Sequence, residues 1–164
     1  KYITKGLNKF CGVKRRFEIR YKNINKRNIM IIDDYAHHHT ELAATIQATK
    51  SGWPKRRIIT IFQPHLFSRT QSFYKEFSNS LMDSDLNIIA PIYPAREEPI
   101  KNVSSLLIVE ELKKIGHKKT YACKNKEIIA ELVKQHVAND DIIVFMGAGD
   151  IYKSIESVYS KLNE

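Results

Sequence analysis

The chain is predicted to fold as a single α/β domain, a mostly parallel sheet with helices on both faces. Four short apolar runs, at 29–32, 58–62, 86–90 and 142–145, have the composition of strands covered on both sides. The segments between them carry apolar residues at helical spacing and are bounded by glycine or proline. Strand and helix therefore alternate, which is the pattern of a parallel sheet built by right-handed crossovers.

The elements follow in order. KRRFEIRYK, ahead of Ile24, is expected to be a separate leading strand, joined to the body by the polar turn 23–28. The first core strand, 29–32, empties into Asp33, Asp34, Tyr35 and three histidines, and a buried strand that ends in charge usually ends at a site. Thr40 and Glu41 open a helix marked by Leu42 and Ile46, which stops near Gly52 and Pro54. The strand at 58–62 is closed by Gln63, Pro64 and His65. From about Arg69 a helix is expected, with Phe73, Phe77 and Leu81 as one apolar stripe and Ser68 or Thr70 as its cap.

A third strand at 86–90 leads into 92–102, where Pro91, Pro94 and Pro99 dictate an ordered loop. Ile108, Leu112 and Ile115 mark the next helix, ended by Gly116, and a short strand follows at 120–123. Ile129, Leu132 and Val133 indicate another helix. The last strand, 142–145, turns through 146–149 into a helix with Ile151, Ile155, Val158 and Leu162.

At 164 residues, 43% hydrophobic and 27% charged, the chain has the length and composition of one globular domain. No apolar stretch approaches the ~20 residues of a membrane helix, and the amino terminus lacks a signal-peptide core, so a cytoplasmic location is expected. Cys11 and Cys123 are too few and too far apart for a disulfide framework or a metal knuckle, and neither is a strong nucleophile candidate. The net charge of +9 favours phosphate-bearing partners. Lysines such as Lys113, Lys114, Lys118 and Lys119 read as a solvated helix face, and no aromatic-studded basic repeat of single-strand binders occurs, so nucleic-acid binding ranks last.

Several motifs keep two readings. Gly147 and Gly149 follow a strand and precede a helix, which suits either a phosphate-cradling turn or simple tight-turn geometry, and Tyr152 stands where a dinucleotide fingerprint needs its third glycine. No G-x-x-x-x-G-K-[ST] loop occurs. Asp33, Asp34, His37, His38 and His39 suggest a metal cluster of the phosphoesterase kind, although only His65 is available as a further ligand from another strand end. Arg69, beside a helix amino terminus and near His65, suits an anion pocket, with a surface arginine as the alternative. Arg15 and Arg16, placed on a strand, would point to opposite faces, one of them free to meet a phosphate.

Five segments carry a resemblance: GVKRRFE at 12–18, DDYAHH at 33–38, FQPH and SRT within 62–70, YPAREEPI at 93–100 and MGAGDI at 146–151. In this order they resemble the carboxy-terminal part of the UDP-N-acetylmuramate–L-alanine ligases, a family of ATP-dependent Mur ligases of peptidoglycan synthesis. The resemblance implies a Rossmann-like closing domain at 24–164, with 1–23 as the tail of a central domain, the linker and the leading strand. It implies that the phosphate loop and the UDP-sugar site belong to central and amino-terminal domains not contained in these residues, that ATP and Mg²⁺ are held mainly there, and that this segment alone is inactive.

By the same resemblance, Arg16 would contact ATP phosphates and Asp34 the ribose hydroxyls. Tyr35, His37 and His38 would line the side facing the amino acid and the acyl phosphate, with His37 and His38 as the catalytic pair. Arg69 and His65 would bind the substrate, Arg69 through the alanine carboxylate. UDP-N-acetylmuramate and L-alanine are the implied partners, without nucleic acid or membrane. A peptide-recycling relative shares much of this sheet edge. Two positions depart from the family pattern: His39 stands where proline is usual, and Leu66 where arginine is frequent. Arg96, in the YPAREE segment, is the candidate for the charge missing at Leu66.

Overall fold

The computed structural model describes residues 12–164. Cys11 and the part of the expected tail at 1–11 lie outside the described residues. Six strands, β1 (Glu18–Ile24), β2 (Ile29–Asp34), β3 (Ile58–Phe62), β4 (Leu86–Ile89), β5 (Thr120–Ala122) and β6 (Ile142–Met146), form one sheet in the order β1-β2-β6-β3-β4-β5. Every pairing is parallel except that of β1 with β2. The leading strand is thus an antiparallel edge of the same sheet, with a register shift between Ile19 and Tyr21.

Strand alternation builds two cores. Ile29 and Ile31 of β2, Ile59 and Ile61 of β3, and Ile143 and Phe145 of β6 face one side. There they meet α4 (Ile129–His136), a 3₁₀ turn (Ile151–Lys153) and α5 (Ser154–Asn163) through Ile129, Val133, Ile151, Ile155, Val158 and Leu162. Met30, Ile32, Ile58, Phe62, Ile142 and Val144 face the other side. Their partners are α1 (His39–Gly52), α2 (Phe67–Leu81) and α3 (Leu106–Lys114).

The chain thus steps from β2 through β3 and β4 to β5 with helices on one face, then returns beneath the other face to insert β6 between β2 and β3. Neighbouring strands whose connections leave to opposite faces open a crevice at their carboxyl ends, where ligands bind in such sheets.

Local chemistry altered several expected details. Arg15 and Arg16 lie in a turn before β1 rather than on a strand, and Arg15 has φ 57°. α2 begins at Phe67, with neither Ser68 nor Thr70 as its cap: the N-cap is Leu66 at φ 71°, and the Thr70 hydroxyl donates back to the Leu66 carbonyl. The stripe on α2 is broken at Phe73 (φ −125°), so Phe77 and Leu81 enter the core while Phe73 packs on His38 and His39 at 5.7 Å from each ring. In α3 the buried stripe is Ile108, Val109 and Leu112, and Ile115 is the C-cap. Cys123 is free and buried, and burial pushes its thiol up to about 11, which leaves no thiolate at neutral pH.

Candidate functional site

Asp34 of β2 and Phe62 of β3 both pair with Met146 of β6, so three strands end level with one another. The segments that leave these strand ends are therefore delivered to one rim. After β2 come Tyr35, His37 and His38, after β6 the turn 147–150, and after β3 Gln63, His65 and the start of α2 with Arg69.

The pleat of β2 separates the two aspartates. Asp33 turns toward β1, fully buried, with Arg15 Nε at 3.6 Å and Arg20 Nη1 at 3.9 Å. Neither of its oxygens has a hydrogen bond among the described residues. Burial pushes its carboxyl up, against the pull of the two guanidiniums. Asp34 turns toward α1. Its Oδ1 accepts from the Ala36 N–H at 2.9 Å, and its Oδ2 from the Phe17 N–H at 3.0 Å and the Thr45 hydroxyl at 3.1 Å. Of the roughly four acceptor positions of a carboxylate, about one is left.

Arg15 fastens the preceding turn to this rim. Its Nη2 donates to the Gly147 carbonyl at 2.5 Å, and its guanidinium lies 4.9 Å from the Tyr35 ring and 4.4 Å from the Tyr152 ring. The Tyr35 N–H donates to the Arg15 carbonyl at 2.7 Å. Arg16 is exposed, and its guanidinium also approaches the Tyr35 ring, at 5.3 Å.

A row of rings continues from Tyr35. The Tyr35 and His37 rings meet edge to face at 5.3 Å, His37 and His65 at 5.9 Å, and His65 stacks on Tyr93 at 5.7 Å. His37 Nδ1 lies 3.1 Å from the Tyr35 carbonyl and 3.2 Å from Glu41 Oε2. Glu41 also accepts from the N–H groups of His37 and His38, at 2.9 and 3.0 Å, which pins the start of α1. His38 differs from His37 in its company: its ring lies 4.2 Å from His39 and 5.7 Å from Phe73, and its Nδ1 is 3.1 Å from the Thr40 hydroxyl.

Beyond His37 the rim becomes cationic and unsatisfied. His65 Nδ1 and Arg69 Nη1 are buried atoms without a hydrogen-bond partner among the described residues. Burial lowers the His65 pKa first, and the charges of Arg69 and His37 lower it further. A buried guanidinium nitrogen without a partner, beside an imidazole held toward its neutral form, leaves a donor that an anion would satisfy. Arg96, by contrast, is exposed on its loop at φ 141°, and its side chain makes no hydrogen bond or ion pair among the described residues.

The sequence marks Arg15 only as one of two possible phosphate contacts, and it gives Gln63 and Tyr93 no role at the site. Gln63 donates to Asp150 at 3.0 Å and accepts from the Ile151 N–H at 3.1 Å, joining the β3 and β6 ends. Gly149 exists for this packing: a Cβ there would stand 2.5 Å from both Gln63 Oε1 and Tyr93 Cγ. Nothing in the spacing of the sequence foretold these contacts, because they join segments far apart in the chain.

Size alone does not pick out the rim. A cleft of about 330 Å³ beside it includes Gln63, Tyr93, Lys126 and Asp150. A larger hollow of about 490 Å³ lies at the opposite end of β2, near Asn28, Met30 and Trp53. Among the described residues no three His, Cys, Asp or Glu side chains come together to hold a metal ion. With Asp33 and Asp34 on opposite faces, the two carboxylates of the phosphoesterase alternative do not share a site. No helix among the described residues is long and apolar enough to cross a membrane.

Residues 15–149 match the family model described as Mur ligase, glutamate ligase domain. The UDP-N-acetylmuramate–L-alanine ligase of Geobacter sulfurreducens is 40% identical over 162 residues, covering 99% of this chain and 34% of that protein. The crystal structure of the UDP-N-acetylmuramate–alanine ligase of Thermotoga maritima superimposes with a TM-score of 0.79 at 27% identity, covering 96% of this chain and 32% of that one. A domain from a putative UDP-N-acetylmuramate:L-alanyl-gamma-D-glutamyl-diaminopimelate ligase of Haemophilus ducreyi shares the fold, with a TM-score of 0.67 at 22% identity. Here 90% of this chain matches 99% of the solved one. The chain spans about a third of the length of the curated relatives it matches. On the family match, and on a rim assembled from its three strand ends, the chain belongs to the Mur ligase family and contains its carboxy-terminal, glutamate ligase domain.

Proposed function

We propose that this domain closes over the reaction centre of an ATP-dependent ligase that joins L-alanine to UDP-N-acetylmuramate in peptidoglycan synthesis, in the cytoplasm. The reading rests on the resemblance of the five motifs and on the 40% identity to a ligase of that name. One observation of this chain carries it further: Asp34, Tyr35, His37, His65 and Arg69 gather on one rim, with the guanidinium edge of Arg69 unpaired there.

In the proposed reaction, ATP transfers its γ-phosphoryl group to the muramate carboxylate, giving an acyl phosphate and ADP. The amine of L-alanine attacks the acyl carbon, phosphate leaves, and the amide forms. This domain contributes binding and orientation. Exposed Arg16 meets the ATP phosphates, and the remaining acceptor position of Asp34 meets a ribose hydroxyl. Arg69 holds the alanine carboxylate against the neutral His65. Tyr35 and His37 face the amine and acyl phosphate, where His37, oriented by Glu41, takes the amine proton. His38 fixes the start of α1 next to them. Arg96 lends a second cation from its loop.

Mg²⁺ neutralises phosphate charge when bound. By the resemblance, it would be held mainly by the central domain. The bonds of Arg15 and Phe17 to this sheet support a joint with that domain ahead of Arg15.

The test is ligation by the 164-residue chain and by the same chain joined to its upstream domains. The joined protein is expected to make UDP-N-acetylmuramoyl-L-alanine with release of ADP, and the chain alone to make none. Alanine ligation by the chain alone, or none by the joined protein, overturns the reading.

A further inference from the structure

α2 carries Arg69 in its first turn but has no cap of its own. Its N-cap residue is Leu66, held at φ 71° with no side-chain bond to the helix. The first N–H groups of a helix need partners. One arrives from the loop after β4: Glu97 Oε2 accepts the Ser68 N–H at 3.0 Å, and Oε1 accepts the Ser68 hydroxyl. The same loop is stitched to the β3 end at Tyr93, whose N–H donates to the Pro64 carbonyl at 2.8 Å and whose carbonyl accepts the Leu66 N–H at 2.9 Å. Bonds from Tyr93 and Glu97 thus grip the segment from Pro64 to Ser68, which supports His65 and leads directly into Arg69.

We infer that Glu97 is a positioning residue for the amino-acid subsite: it caps α2 from across the rim and thereby holds Arg69, whose buried Nη1 has no hydrogen-bond partner among the described residues, in the orientation that meets a carboxylate. This deepens the ligase reading and rests on it for the identity of that carboxylate. A carboxylate accepting at a helix amino terminus is favoured by the helix dipole as well as by the bonds themselves. The Ser68 hydroxyl first, then the N–H groups of Ser68 and Phe67, hold the Glu97 carboxyl below its ordinary value, so the cap is ionised at neutral pH. Glu97 forms no ion pair with Arg69 among the described residues; its oxygens accept from the N–H and hydroxyl of Ser68.

Two arms test this. In the joined ligase, Glu97→Ala is expected to raise the alanine KM about tenfold or more, with kcat changed less than about threefold and the ATP KM unchanged. Ser68→Ala added to Glu97→Ala produces no further loss, since both break one clasp. An alanine KM within about twofold of wild type, or a joint rise of all substrate KM values, overturns the inference. In the 164-residue chain, the Arg69 Nε–H resonance, assigned with Arg69→Lys, is expected to move toward its free-arginine position in Glu97→Ala. The amides of β6 stay in place and certify the fold. An unmoved Arg69 resonance sinks the inference whatever the enzyme ligates, whereas a moved resonance in a protein that does not use alanine sinks only the substrate assignment.

Discussion

His65 shows how the rim sets the chemistry of one side chain. Burial, then the neighbouring Arg69 and His37 charges, lower its pKa from the ordinary 6.5, while Glu97 pulls the other way. The fold therefore prefers the neutral imidazole, and the stability this preference contributes at higher pH is lost as pH falls from 6.5 through the depressed native value. A proton titration followed by NMR is expected to place His65 below an exposed histidine, and Arg69→Ala is expected to move it upward. An unchanged value in Arg69→Ala would mean that the two side chains do not face one another. The identity of the rim residues was legible in DDYAHH and FQPH, yet their division of labour was not. Period-two alternation was enough to separate Asp33 from Asp34 once the strand was known to run through both. The same rule misassigned Arg15 and Arg16, because Arg15 adopts a positive φ and the strand starts only at Glu18.

At the level of elements, apolar runs located the core strands, since each is buried along its length. Helix starts were less legible. The cap of α2 is supplied 29 residues away by Glu97, and no local pattern of Ser68 or Thr70 reveals that. The turn after β6 is a similar case: its glycines were readable as a tight turn, but the reason for Gly149 is the approach of Gln63 and Tyr93. Gly149→Ala is expected to destabilise the domain by about 1–3 kcal/mol, as overpacking does. Chemical denaturation measures the loss, and the same variant should release Tyr93 from its stack on His65. A fully tolerated alanine would contradict the close packing of the β3 and β6 ends.

Over the whole molecule, the turn ahead of β1 is bonded to the ends of β2 and β6. Arg15 reaches Asp33, Gly147, Tyr35 and Tyr152, and Phe17 binds Asp34. Removing one partner of a buried pair leaves the other charge uncompensated. Because Arg20 also lies near Asp33 and Arg15 is partly exposed, Arg15→Ala is expected to cost about 2 kcal/mol rather than the full amount for an isolated buried pair. Adding Asp33→Asn should return part of that loss, and a double-mutant cycle with no coupling would remove the pair from the account. The antiparallel edge and the switch in crossover side were not readable from composition. They depend on where β6 inserts, a choice made by packing between segments distant in the chain.

As proposed, one rim holds two ligands at separate places, nucleotide at the Arg16 end and amino acid at the Arg69 end. Steady-state kinetics of the joined ligase carrying Arg16→Ala or Arg69→Ala tests it most directly. Loss of a charge-assisted hydrogen bond of about 1.5–3 kcal/mol predicts a KM raised about ten- to a hundredfold, for ATP alone in the first variant and for alanine alone in the second. Both constants rising together in either variant, or neither rising in both, would contradict the account.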